Sequence, residues 1–256
     1  YIPWGTDIEK YKPESNKNNR TPTFIISAGW QPKYTGDRRG SLLALKAFQN
    51  VKGNCQLNIY SQVSFEECLP NWQKLIKSDE RITLKVGTFD PFPYNEGDVY
   101  LYPSRLDGIG LTLPEAVSSG LTAITTNNAP MNEFVKNGFN GFLINVEKYL
   151  GRPDGYYWPE SICNINSLTE AMQAYIYDVE LLQAHKINAR NFAFENLDWN
   201  KNAIKLPKIF KNASKNKIKS TDIQLVTLLN NLDKVMSPTD KYKIASAIFI
   251  AFKHLK

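Results

Sequence analysis

The stretch DVYLYPSRLDGIGLTLPEAVSSGLTAITT, residues 98–126, decides the fold. Its opening, DVYLYP, is rich in β-formers and has strand length. A glycine-bearing loop, SRLDGIG, follows. Residues 111–120 then read as a helix, with Pro114 in the first turn and Gly120 as the stop. LTAITT, residues 121–126, is a second strand-length run. Strand, loop, helix and strand in close succession make a βαβ unit, the crossover that parallel strands require.

The same alternation extends outward. TFIISA (23–28), QLNIY (56–60), ITLKVG (82–87) and GFLINV (141–146) are further strand candidates. Helical patterns lie between them. SLLALKAFQN (41–50) has Ser41 at the expected N-cap, FEECLPNWQKLIKS (65–78) is interrupted at Pro70, and PMNEFVKNG (130–138) starts on Pro and stops at Gly. The pattern predicts an α/β fold, a Rossmann-like parallel sheet with helices on both faces. Ligands bind such sheets beyond the carboxyl ends of the strands. Two loops fall there, QPKYTGDRRG (31–40) and SRLDGIG (104–110).

The flanks are of a different kind. Residues 1–20 are rich in turn formers and read as a linker. Residues 21–200 form the expected α/β domain. Within it RPDGYYWPES (152–161) is an aromatic, turn-rich insertion, and Ser167 with Glu170 forms a capping box opening one or two helices. Residues 201–219 are lysine-rich, and 220–256 read as an appended helical hairpin.

Composition narrows the chemistry. Hydrophobic residues make up 42% of the 256, enough for a full core. The longest apolar run, Ile244 to Phe252, falls well short of the ~18 residues of a membrane span. Cys55, Cys68 and Cys163 are scattered and form no C-x-x-C pair, which points to reduced thiols and a cytoplasmic protein. His185 and His254 are the only histidines, so a His-based metal site or a Ser-His-Asp triad has little material. The net charge is +6, and Lys201 to Lys219 hold seven lysines and no acid. Such a run suits a solvated helix face, nucleic acid, an anionic membrane or an anionic small molecule.

Carboxylates, cations and backbone amides must then carry any chemistry. Gly108 and Gly110 let a ligand approach the backbone, and the helix after Gly110 presents free N–H groups. Asp107 and Glu115 flank that helix start. A carboxylate accepts from neighbouring hydroxyls, so two carboxylates beside an anion site suit a ligand with hydroxyls around a phosphate, the shape of a nucleotide sugar. Arg38 and Arg39 in the other loop suit phosphate oxygens. Each loop taken alone also reads as an ordinary strand-to-helix turn.

The motifs resemble a known family. YIPWGTDIEKYKP resembles an interdomain linker of the form I-P-N-G-V-D, then F-x-P; SAGWQPKYTGDRRGSLLALKAF resembles a strand, phosphate loop and helix; and residues 98–144 resemble a signature with P-S, E-G-F-G-L, E-A and G-x-P-V. The chain is similar to the carboxy-terminal, nucleotide-sugar-binding half of the GT-B fold retaining glycosyltransferases of family 4, the glycosyl transferases group 1. The resemblance implies roles. Glu115 would hold ribose hydroxyls and Asp107 hydroxyls of the transferred sugar. Backbone at Gly108, Ile109, Gly110 and Leu111 would meet sugar and diphosphate. Arg39, with Arg38, would bind phosphate. The base would pack from Val86 to Thr88, and Glu133 would serve structure as much as ligand. It implies no metal and no cofactor beyond a donor such as a UDP- or GDP-sugar, and an amino-terminal acceptor domain lying before residue 1 as partner.

The chain also departs from the family pattern. Asp107 stands for the usual Glu, Trp30 for a cation, and Gly120-Leu121-Thr122 for Gly-x-Pro. Two other readings stay open. One is a degenerate, non-catalytic module acting as a scaffold. The other is a nucleic-acid binder through the lysine run, which lacks interleaved aromatics apart from Phe210; an anionic membrane suits that run better.

Overall fold

The computed structural model describes residues 2–14, 21–29, 37–151, 159–213 and 227. Each of the six apolar runs forms a strand: β1 (Thr23–Gly29), β2 (Gln56–Ser61), β3 (Ile82–Val86), β4 (Val99–Tyr102), β5 (Thr122–Thr126) and β6 (Gly141–Ile144). They pair in parallel in the order β3-β2-β1-β4-β5-β6. Side chains alternate across the pleat. Phe24, Ile26, Leu57, Ile59, Val99 and Leu101 join one core; Ile25, Tyr60, Tyr100 and Tyr102 join the other. Burial on both faces explains why the strands read as continuous apolar runs.

Helices cover both faces. On the first lie α1 (Ser41–Phe48), the short α2 (Phe65–Cys68) and α3 (Pro70–Lys77), with Pro70 opening α3. The opposite face carries α4 (Thr112–Ser118). Later in the chain α5 (Ile165–Tyr177) packs on the first face and α6 (Val179–Asn196) on the second. The short α7 (Trp199–Ala203) and α8 (Leu206–Ala213) follow. A separate two-stranded sheet joins β7 (Val146–Leu150) and β8 (Glu160–Cys163), a pairing the sequence reading missed. Among the described residues, those within 3–148 and 161–202 form one compact unit, and those within 149–160 and 203–213 belong to a second. All but one residue of the hairpin expected over 220–256, Trp30, and most of the aromatic insertion fall outside the described residues.

Three local expectations are corrected. Ser41 does not cap α1; Gly40 does, without a side-chain cap, and the Asp37 carboxylate takes the Ser41 and Leu42 N–H groups at 2.7 Å each. The capping box at Ser167 gives way to Asn164, which accepts from Ser167 N–H at 2.9 Å, so the helix starts earlier. Residues 130–138 form only a 3-10 turn, Met131–Glu133. There Asn140 accepts from Lys136 N–H and donates to the Phe134 carbonyl, and these side-chain bonds replace a helical ladder.

Within residues 2–14, the stretch from Gly5 to Tyr11 lies against α6 and the turn that follows it. Thr6 exchanges backbone hydrogen bonds with Leu197 and Trp199, Ile8 is buried, and Arg190 of α6 donates to the carbonyls of Ile8, Tyr11 and Ser118.

Candidate functional site

The strand order reverses between β1 and β4, since the chain leaves β1 for one side of the sheet and returns on the other. Loops from adjacent carboxyl ends diverge at such a point and leave a crevice. The described part of the first loop, residues 37–40, meets the second, residues 104–110, there.

The first loop is fastened at its base. Asp37 is buried, and burial pushes its carboxyl up while the Leu42 and Ser41 N–H groups pull it back. Gly40 has φ of 73°, and a Cβ there would sit 2.0 Å from the Pro103 carbonyl oxygen. Only glycine passes so close to the end of β4 in that conformation. Arg105 N–H donates to the Arg38 carbonyl at 2.8 Å and ties this loop to the second. Arg39 then reaches across, its Nη1 donating to Thr112 Oγ1 at 3.4 Å. Burial works against the Arg39 charge, but Tyr100, Tyr102 and Asp107 outweigh it and hold its pKa up. Its Nε is buried without a hydrogen-bond partner among the described residues.

The second loop closes on itself. Asp107 accepts from Gly110 N–H through one oxygen at 3.0 Å and from the Tyr102 hydroxyl through the other at 2.6 Å. Gly110 has φ of 76°, which suits the tight entry into α4. Ser161 supports the loop from β8, its N–H and hydroxyl both donating to the Arg105 carbonyl. Gly108 is exposed, with open space where a Cβ would stand.

Glu115 lies on the first turns of α4. Tyr94 donates to its carboxylate at 2.7 Å and to the Thr112 carbonyl at 3.1 Å. Burial raises the Glu115 pKa; the Tyr94 and Tyr11 hydroxyls, then Lys10 and Arg39, pull it back down. Tyr94 itself is pushed well up by burial and so remains a hydrogen-bond donor.

These groups border a cleft of about 300 Å³. Arg39, Thr112 and Glu115 line it, with Ser27 and Gly29 from β1 and Tyr60 from β2. Ser61 and Gln62 at the end of β2, Phe89, Asp90 and Phe92 from the segment after β3, and Tyr11 from the opening segment complete the wall. The Tyr60 ring meets Phe89 edge-on at 5.1 Å and Phe92 at 4.9 Å. Its hydroxyl donates to Glu96 at 2.6 Å, and Glu96 also pairs with Lys85.

Of the residues expected from the sequence, Arg39 and Glu115 reach the cleft wall. Arg38, Asp107, Gly108, Ile109, Gly110 and Leu111 stand beside it in the two loops. Val86 and Thr88 are exposed at the end of β3 and do not line it, and Glu133 is exposed in its own turn. The aromatic wall was missed. Its signal was present in GTFDPFPYNEG, residues 87–97, where three aromatics crowd one turn-rich stretch.

The comparisons bear on the same region. The model of the family glycosyl transferases group 1 matches residues 7–149. The GtfA subunit of a UDP-N-acetylglucosamine–peptide N-acetylglucosaminyltransferase from Streptococcus pneumoniae is 35% identical over 94 residues, covering 34% of this chain and 18% of that protein. A glycosyltransferase from Rickettsia africae shares the fold with a TM-score of 0.65 at 18% identity, over 84% of this chain and 57% of the other. The Anabaena protein Alr3699/HepE, solved in complex with UDP and glucose, gives 0.63 at 15% identity, over 81% and 55%. The chain thus spans little more than half the length of these solved structures and under a fifth of the curated relative. The family match runs through all six strands of the parallel sheet and every residue of the cleft wall, and the chain belongs to the glycosyl transferases group 1.

Proposed function

We propose that this chain is the carboxy-terminal, donor-binding half of a metal-independent retaining glycosyltransferase that moves a hexose-type sugar from a nucleoside diphosphate. One observation carries the reading: Arg39, from the loop before α1, and Glu115, from the first turns of α4, line one cleft with an aromatic wall. In this reading Glu115 accepts from the ribose hydroxyls, and Asp107, whose oxygens keep acceptor capacity beyond the Gly110 N–H and the Tyr102 hydroxyl, accepts from hydroxyls of the transferred sugar. Backbone from Gly108 to Leu111 lies along the sugar and diphosphate. Arg39 and Arg38 neutralise the charge that develops on the leaving diphosphate; a donor so placed is typically worth about 3 kcal/mol of barrier. The base lies near the end of β3, where Tyr60, Phe89 and Phe92 offer ring edges and faces. A UDP-sugar donor is favoured by the names of the Streptococcus and Anabaena relatives. The acceptor is held by an amino-terminal half outside this chain, and the buried thiols of Cys55 and Cys163 suit a reducing, cytoplasmic setting.

Calorimetry with UDP- and GDP-sugars tests this. Weak binding of one donor class is expected, with no transfer by this chain alone, and Arg39→Ala lowers the affinity. A folded protein that binds neither class overturns the reading.

A second reading, a degenerate scaffold module, is favoured by one observation: both Asp107 oxygens are engaged within their own loop. In the full-length protein, transfer unaffected by Glu115→Ala and Arg39→Ala would select it.

A further inference from the structure

We propose that residues 204–213, built around α8, form a docking face for an anionic lipid surface. The inference is independent of the donor-site reading and starts from charge. The chain holds 31 Lys and Arg against 25 Asp and Glu. Removing the seven lysines of residues 201–219 leaves 24 against 25, a net charge of −1. The basicity of the protein therefore resides in this one run, and every cation in it is a lysine.

The structure sorts this composition into two faces. On α8, Leu206, Ile209, Phe210 and Ala213 recur at the i, i+3, i+4, i+7 spacing that makes one helical stripe. Lys208 and Lys211 fall on the opposite side of the same helix, and Lys205 precedes it. None of the α8 residues is buried, and the stripe is open: Phe210 is 66% exposed, Ile209 41%, and Ile204 just before the helix 75%. An apolar stripe backed by lysines suits a helix lying in the plane of a lipid interface, where rings and branched chains enter the acyl boundary and ammonium groups reach the headgroups. No described helix is long and apolar enough to cross a membrane, so the fit is to a surface and not to a span. Nucleic acid fits less well. It would use the lysines and leave Ile204, Ile209 and Phe210 in water, and Phe210 is the only aromatic in the run.

The test is co-sedimentation of the full chain with vesicles of phosphatidylcholine, with and without phosphatidylglycerol. Binding only to the anionic vesicles, weakened by added salt, is expected. The triple variant K205Q/K208Q/K211Q should weaken it by about a hundredfold. A second variant, I209S/F210S, keeps every charge and should also weaken it. All five substitutions lie at exposed positions, and matching circular dichroism spectra would show that the rest of the chain is intact. Equal binding to both vesicle types overturns the proposal, as does anionic binding that survives either variant. So does binding to duplex DNA or RNA tighter than to anionic vesicles and unaffected by I209S/F210S.

Discussion

Asp107 lies in the turn before α4 and Glu115 lies on α4 itself, eight positions on, and the two carboxylates meet different surroundings. Asp107 is turned back into its loop, with one oxygen on Gly110 N–H and the other on the Tyr102 hydroxyl. Glu115 is held by Tyr94 and lines the cleft with Arg39. A carboxylate accepting a backbone N–H three residues on acts as the local cap of a turn. One that projects from the side of a helix into a cleft keeps acceptor capacity for a ligand. The two acids of this motif thus take different places: one shapes the loop, the other lines the cleft.

The largest expected effect separates them directly. Glu115→Ala should weaken UDP binding by about ten- to a hundredfold, the range of a hydrogen bond to a charged group. Asp107→Ala should change it by less than about threefold in the same calorimetric titration. Equal losses would break the comparison. A smaller effect is on stability. Gly110→Ala forces a side chain into a left-handed backbone and brings its Cβ to 3.1 Å from the Tyr102 ring. It should cost about 1–2 kcal/mol, read as a lower Tm. Because Asp107→Ala loosens the same turn, the double variant should lose less than the sum of the two. Full additivity would mean that Asp107 does not hold the turn.

The smallest effect sharpens the Glu115 side. Burial raises the pKa of Glu115 above its ordinary value, and the Tyr94 hydroxyl opposes that rise. Hydroxyl donors of a ligand favour the ionised form, so UDP affinity should fall as pH drops through this raised pKa. Tyr94→Phe removes an opposing donor and should move that fall to higher pH. The stability sign is opposite: ionised Glu115 costs stability above its folded pKa, and the cost is relieved as pH falls. A pH profile of UDP affinity left unchanged by Tyr94→Phe would remove Tyr94 from the account.

Much of the fold is legible along the chain. The six strands stand where apolar runs are bounded by turn formers, because burial on both faces demands such runs. Helix starts are less so. Ser41 and Ser167 look like caps, but each already lies inside its helix and gives its own N–H to a residue upstream, Asp37 and Asn164. PMNEFVKNG has helical punctuation, yet Asn140 claims its backbone. At the site, Arg39 and Glu115 stand out by their place at strand-to-helix loops. Tyr11, Tyr60, Phe89 and Phe92 do not, since they come from three separate stretches of chain.

The alternation of strand and helix, and with it a parallel sheet whose loops gather at one edge, is legible in the amino-acid sequence alone. Period and punctuation are local, and local pattern suffices for that. Which groups share the cleft depends on long-range packing. The reversal of strand order between β1 and β4 sets Arg39 beside Thr112 and Glu115, and the packing of the opening segment on α6 brings Tyr11 to them. The direction in which Asp107 points was likewise settled in space, by a tyrosine hydroxyl and a backbone amide that no spacing along the chain reveals.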